Sequence, residues 1–128
     1  MFWWAQARRK GLYDRLDVAD LAAFLSGQQP DAAHLVIAAD VFAYVGDLAG
    51  VCAVVARVLA PGGLFGFTVE THDGDGAIVG AKMRYAHGEA FVRAAIADAG
   101  LAMVELTRAS TRTENRVPVP GLLVVARR

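Results

Sequence analysis

The chain has 128 residues, with 13 Lys plus Arg against 13 Asp plus Glu, so it suffices for one domain with a real core and carries no net field to attract nucleic acid or anionic lipid. Its apolar content of 55% is high, yet the longest apolar stretches fall well short of the ~18 residues of a membrane span, which assigns the excess to core or interface. The single cysteine, Cys52, has no partner for an internal disulfide and sits among Val51, Val54 and Val55 as a buried residue would; a reducing cytoplasm is the expected compartment.

Met1-Phe2-Trp3-Trp4 is apolar but lacks the basic leader and long apolar core of a secretory signal. A short helix is expected from Trp3 to Lys10, with Arg8, Arg9 and Lys10 at its negative end and Gly11 closing it. Leu16 and Val18 alternate with Arg15, Asp17 and Ala19 as a brief strand that ends at Asp20-Leu21. One helical turn over Leu21 to Leu25 precedes the Gly27-Gln28-Gln29-Pro30 break. The continuous apolar run Leu35 to Ala39 has the pattern of a strand buried on both faces of a parallel sheet.

From Asp47 to Leu59, Leu48, Val51, Val55, Val58 and Leu59 recur at helical spacing, with Asp47 as the cap and Pro61-Gly62-Gly63 as the stop. Leu64 to Glu70 is strand-like, and a polar glycine loop runs from Thr71 to Gly80. Glu89 to Ala99 is expected to be helical, ending at Gly100. Leu101 to Thr107 and Leu122 to Ala126 are strands with no helix between them, hence an antiparallel pair. The alternation implies an α/β sandwich with a mostly parallel sheet and a C-terminal antiparallel pair.

Three strings occur in a telling order: Asp20-Leu21 after a strand, Ala38-Ala39-Asp40-Val41-Phe42-Ala43-Tyr44-Val45-Gly46-Asp47-Leu48, and Arg57-Val58-Leu59-Ala60-Pro61-Gly62-Gly63-Leu64. This order resembles the back half of a class I S-adenosylmethionine-dependent methyltransferase. Thr68-Val69-Glu70, Arg84-Tyr85-Ala86-His87, Arg112-Thr113-Glu114 and Val119-Pro120-Gly121-Leu122-Leu123-Val124 further resemble the small-molecule subgroup often fused to tetratricopeptide repeats. The similarity runs from about Ala5 to the end. It implies a truncated Rossmann-like sandwich, residues 1–128 forming one partial domain, with S-adenosylmethionine as methyl donor and a small molecule as acceptor.

The resemblance also implies site residues. Asp20 matches the carboxylate that accepts a hydrogen bond from the adenine amine, with the backbone of Leu21 at the ring edge; the alternative is a loop Asp capping the next turn. Asp40 and its neighbours lie at the carboxyl end of the fourth strand, at the mouth where open α/β sheets bind ligands; the backbone around Ala39 is expected to face the methionine portion, with Val41 and Phe42 packing the cofactor or the helix. Phe42 and Tyr44 are expected in the core. Glu70 and Tyr85 fall on the substrate side, and His87 is either the general base or a structural histidine near a helix start.

Gly74-Asp75-Gly76-Ala77-Ile78-Val79-Gly80 has GxGxxxG spacing and lies late in the chain, so it is expected to be a flexible lid, not a dinucleotide loop. Glu70, His72, Asp73 and Asp75 lack regular metal-ligand spacing, and no metal is expected. The family's first strand with its glycine-rich loop, and its second strand with the ribose-binding acid, have no counterpart; Trp3-Trp4 and His34 also depart from the pattern. In the family's strand order, 3-2-1-4-5-7-6, that loss opens a gap of roughly 10 Å, which parallel pairing of Arg15-Val18 beside Leu35-Ala39 would close. Two readings follow: a fragment of a cytosolic methyltransferase, or an inactive remnant serving as an interaction module. Self-association through the exposed sheet edge is the partner expectation besides a small molecule, with neither nucleic acid nor membrane involved.

Overall fold

The computed structural model describes residues 3–15, 17 and 19–128. Helix α1 (Trp3–Lys10) ends as its sequence requires, at Gly11 in the left-handed region with φ 62°. Leu16 and Val18, the apolar residues of the first expected strand, lie outside the described residues. Arg15 and Asp17 are outside regular structure, exposed, and ion-paired with each other at 2.7 Å. Helix α2 (Leu21–Ser26) is short and capped by Asp20, whose Oδ2 accepts from the Ala23 N–H at 3.1 Å.

Strand β1 (Ala33–Ala38) leads through a 3-10 turn, Phe42–Tyr44, into helix α3 (Leu48–Val58). Asp47 caps α3 by accepting from the Gly50 N–H at 3.1 Å, in keeping with the sequence. Strand β2 (Leu59–Glu70) begins earlier than expected, because Pro61-Gly62-Gly63 does not end an element. It forms an irregularity inside β2: β1 pairs Ala33 with Leu59 and Leu35 with Leu64, and Gly62 and Gly63 exchange hydrogen bonds with Arg128. Strands β3 (Ala77–Val79) and β4 (Tyr85–His87) make a small antiparallel hairpin, and helix α4 (Glu89–Asp98) follows, with Gly100 beyond it at φ 77°. Strands β5 (Ala102–Ala109) and β8 (Gly121–Arg127) are antiparallel as expected, with a two-residue ribbon β6 (Thr113–Glu114) and β7 (Val117–Pro118) between them.

The main sheet has the order β3-β4-β2-β8-β5, and β1 shares with β4 the same side of the long strand β2. The β1–β2 and β2–β4 pairs are parallel, while β2–β8, β8–β5 and β3–β4 are antiparallel, so the sheet is mixed. No described strand pairs with the outer edge of β1, and the expected repair by Arg15-Val18 is not among the described pairings.

Helices α3 and α4 lie together on one face of the sheet. Val51, Cys52 and Val55 of α3 and Val92 and Ile96 of α4 meet Phe65, Phe67, Val69, Leu122, Val124 and Ala126 in one continuous core. Burial pushes the Cys52 thiol up to about 12, which leaves it an inert apolar group. The other sheet face carries Leu35 and Ile37, 57% and 68% exposed. Burial of β1 on both faces, expected from its unbroken apolar run, is therefore corrected: only the Val36 and Ala38 side meets a covering layer.

Candidate functional site

The carboxyl ends of β1 and β2 lie side by side, and the residues after them build the site. Asp40 leaves β1 in the left-handed region, φ 54°, a conformation Asp tolerates better than most side chains, and its N–H donates to Thr68 Oγ1 of β2 at 2.9 Å. This turns the chain into the Phe42–Tyr44 segment. Phe42 is fully buried as expected, but Tyr44 is 67% exposed; its ring stands at the mouth and not in the core.

A cavity of about 450 Å³ lies between the start of α2 and the segment leading into α3. Asp20, Leu21, Tyr44, Val45, Asp47 and Val51 line it, so the structure brings Asp20 and Leu21 to the same hollow as the turn after β1. Oδ2 of Asp20 caps α2, which matches the capping alternative, and the residue also borders the cavity. Ala39 instead borders a second hollow, on the uncovered sheet face, and Val41 packs half-buried against the core.

Beside the cavity, Arg84 connects the two strand ends. Its Nε donates to Glu70 Oε2 at 2.7 Å, its Nη1 to the Tyr44 hydroxyl at 2.9 Å and its Nη2 to Asp40 Oδ1 at 2.9 Å. The Arg84 guanidinium also lies 5.2 Å from the Tyr44 ring centre. Arg112 approaches the other Glu70 oxygen at 2.9 Å and Glu114 at 3.4 Å, and Lys82 Nζ reaches Glu114 at 2.8 Å. Burial alone would raise the Glu70 carboxyl, but hydrogen bonds and charge from Arg112 and Arg84 outweigh it and hold it below its ordinary value. With both oxygens engaged, Glu70 acts here as the anchor of a charged network that ties β2 to the loops around Arg84 and Arg112. Neither arginine stood out in the sequence, since no spacing rule connects residues 40, 70, 84 and 112.

His87 is completely buried, its ring 5.7 Å from Phe91 and 6.3 Å from Tyr85 in stacked arrangements. Its Nε2 lies 3.2 Å from the Phe42 carbonyl, and its Nδ1 is buried without a hydrogen-bond partner. Burial lowers its proton affinity despite the nearby carbonyls of Phe42 and Val45, so the ring is neutral and Nε2–H donates to Phe42. This placement matches the structural alternative. Tyr85 is half-buried against Gly46, where an added Cβ would come within 2.8 Å of the Tyr85 ring.

The neutral buried His87 makes stability pH-dependent. Its folded affinity for a proton is depressed, so the unfolded chain takes up the proton first, and stability falls as pH drops through about 6.5. His87→Phe should flatten the stability profile between about pH 8 and pH 5.5 in urea titrations. An unchanged slope would show that His87 is not held neutral.

The glycine loop from Thr71 to Gly80 is fastened at several points. His72 bridges it, with Nε2 on the Gly76 carbonyl at 2.8 Å and Nδ1 accepting from the Gly74 N–H at 3.0 Å, and Gly88 N–H donates to Gly76 at 2.9 Å. Gly88 is obligatory, since a Cβ there would lie 2.4 Å from the Gly74 carbonyl. Among the described residues, no group of three His, Cys, Asp or Glu could hold a metal ion, and no helix is long and apolar enough to cross a membrane.

The fold, a mixed sheet with β1, β2, β8 and β5 as successive neighbours, is similar to that of solved S-adenosylmethionine-dependent methyltransferases. No family model matches the chain, and no curated protein matches it. Among solved structures, a methyltransferase of Methanosarcina mazei superimposes with TM-score 0.72 at 13% identity over 97% of this chain and 74% of that one. The 1,6-didemethyltoxoflavin-N1-methyltransferase of Burkholderia thailandensis, with 1,6-didemethyltoxoflavin and S-adenosylhomocysteine bound, gives 0.72 at 17% identity over 98% of this chain and 56% of that one. The [4+2]-cyclase SpnF gives 0.74 at 16% identity over 98% of this chain and 61% of that one. One fold thus serves different reactions, and at these identities the likeness concerns architecture.

Proposed function

We propose that this chain supplies the adenine-reading and acceptor-side part of an S-adenosylmethionine-dependent methyltransferase whose acceptor is a small molecule, and that it is one partial domain of a longer cytoplasmic enzyme. The observation that carries this reading is the cavity of about 450 Å³ between the start of α2 and the segment that leads from β1 into α3, with Asp20 and Leu21 on its wall. Its size falls in the range of small-molecule sites, and its walls pair a carboxylate with the apolar side chains Leu21, Val45, Val51 and Val54. That combination fits an adenine ring, which needs an acceptor for its amine and apolar surface for its faces. Among the described residues lining the cavity, Asp47 is the one other charged group, and it caps α3. When bound, S-adenosylmethionine would supply an activated methyl group. The protein side would hold the nucleoside at Asp20 and Leu21 and close the mouth beside it with Tyr44 and Arg84.

His87 has no open path to an acceptor, and Glu70 is committed to Arg84 and Arg112, so proton removal in this reading falls to water or the acceptor itself. The substrate-side roles for Glu70 and Tyr85 become indirect: they shape the wall next to the cavity. The second reading, an inactive interaction module, draws on the uncovered apolar sheet face.

Calorimetry and NMR titration with adenosine, S-adenosylhomocysteine and S-adenosylmethionine test the proposal. Binding of all three should be weak, with dissociation constants above about 100 µM, because only the adenine end finds partners. Amide shifts should centre on Leu21, Val45 and Val51. Asp20→Ser keeps a helix cap and removes the carboxylate, and it should weaken adenosine binding by about 5- to 30-fold. Low-micromolar affinity for S-adenosylmethionine would refute the partial-domain reading, and absence of shifts at Leu21 and Val45 would favour the inactive module.

A further inference from the structure

Among the described residues that line the cavity between α2 and α3, Tyr44 is the one aromatic side chain. Its backbone is fixed, because the turn that carries it is pinned by the buried Phe42 ring and by the Val45 N–H, which donates to the Phe42 carbonyl at 3.1 Å. Its side chain, 67% exposed, has no such packing. A tyrosine exposed to this degree and left to itself would spread over several staggered rotamers and offer a ligand no defined surface.

Arg84 removes that freedom. Its backbone is anchored on both sides: its carbonyl accepts from the Gly80 N–H at 2.8 Å, and Ala86, two residues on, pairs with Glu70 of β2. The guanidinium is fixed in turn by two carboxylates, with Nε 2.7 Å and Nη2 2.6 Å from Glu70 Oε2, and Nη2 2.9 Å from Asp40 Oδ1. Those contacts leave Nη1 of the planar fork to donate to the Tyr44 hydroxyl at 2.9 Å. The same cation lies over the Tyr44 ring, 5.2 Å from its centre. The hydroxyl bond fixes the tip of the ring and the cation contact its plane. Arg84 itself is not on the cavity wall.

We propose that Arg84 is a positioning residue of this cavity, holding the Tyr44 ring as the surface on which a planar base stacks, a role that rests on the adenine reading of the cavity. Leu21, Val45, Val51 and Val54 can enclose a base, but only an aromatic face aligns it by stacking. Because the ring is ordered before the ligand arrives, binding does not bear the entropy of ordering it. A lysine could satisfy the carboxylates, yet it has no rigid second arm to hold the hydroxyl.

NMR titration of the full chain with adenosine tests this. The Tyr44 ring protons should move upfield as adenosine is added, through the ring current of a stacked base. Arg84→Lys should stay folded by circular dichroism, since a cation still faces Glu70 and Asp40, and should nonetheless bind adenosine about 3- to 10-fold more weakly. Arg84→Met should weaken binding equally, and Tyr44→Ala by about 5-fold or more. In the Tyr44→Ala background Arg84→Lys should change nothing further, because its effect passes through the ring. An Arg84→Lys chain that binds like wild type, losses from Arg84→Lys and Tyr44→Ala that simply add, or Tyr44 ring signals that stay in place while Leu21 and Val45 respond would overturn the role of Arg84 and leave the adenine reading standing. Failure of adenosine to shift Leu21 and Val45 in the wild-type chain would overturn both.

Discussion

Phe67→Ala is expected to lower the free energy of unfolding by about 3–5 kcal/mol, measured by urea denaturation at neutral pH. Phe67 is 1% exposed and lies at the centre of β2, its ring centre 5.3 Å from that of Phe42 and 4.7 Å from that of Phe65. Removing it deletes a large apolar group and opens a cavity that three elements share. The Phe42 ring, edge-on to its neighbours, is the side chain that holds the turn after β1 against the sheet. The damage should therefore reach the site, because the same turn carries Tyr44 and offers its carbonyl to His87. Domains of this size are stable by only about 5–15 kcal/mol, so the variant should unfold well below the wild-type midpoint. Phe67→Leu keeps most of the volume and should recover more than half of the loss. An alanine variant within about 1 kcal/mol of wild type would mean that the three rings do not form one packed unit.

Those rings belong to the part of the fold that was legible in the sequence. Helices α3 and α4 announced themselves by periodicity and punctuation, with Asp47 as a cap and Gly100 as a stop, and the β5–β8 pair was antiparallel because no crossover helix separates its strands. What misled was chemistry that two structures share. An unbroken apolar run such as Leu35 to Ala39 records that the residues are apolar, not that both faces find cover. Pro61-Gly62-Gly63 signals a break in a helix and equally an irregularity in a strand, and tertiary pairing with Arg128 decided for the strand. The ribbons β3–β4 and β6–β7 are too short for any period to emerge.

Of the candidate site residues, Asp20 and Leu21 are legible as a pair following an expected strand in a string that resembles a known family, and both line the cavity. Tyr44 and His87 show the limit, since one polar-tipped aromatic residue turned outward and one histidine turned inward, and sequence offers the same evidence for both outcomes. Arg84 and Arg112 each begin a short string, Arg84-Tyr85-Ala86-His87 and Arg112-Thr113-Glu114, with no sign in either of a shared partner. Their meeting at Glu70 is a product of the sheet order, which sets the loops after β3 and β5 beside the end of β2.

That meeting sets the second large effect. Glu70→Ala should destabilise the protein by about 1–2 kcal/mol at neutral pH. The side chains of Glu70, Arg84 and Arg112 are 11%, 14% and 24% accessible at the carboxyl end of β2, so solvent screens them in part, and deletion leaves two guanidiniums facing each other without the carboxylate between them. The figure is kept below the 3–5 kcal/mol of a fully buried pair because Asp40 still reaches Arg84 and Glu114 still reaches Arg112. The same network fixes an acid limit. A carboxyl whose folded affinity for protons is depressed contributes stability that is fully present above its unfolded value, near 4.3, and is lost as pH falls through the folded value. Wild type should therefore lose stability more steeply below about pH 4.5 than Glu70→Gln does, the two curves converging in acid. Adding Arg84→Met to Glu70→Ala should cost less than the sum of the single changes, since each alone strands the other's charge. Strictly additive losses, with parallel pH profiles for wild type and Glu70→Gln, would show that the network does not hold β2 to the loops around it.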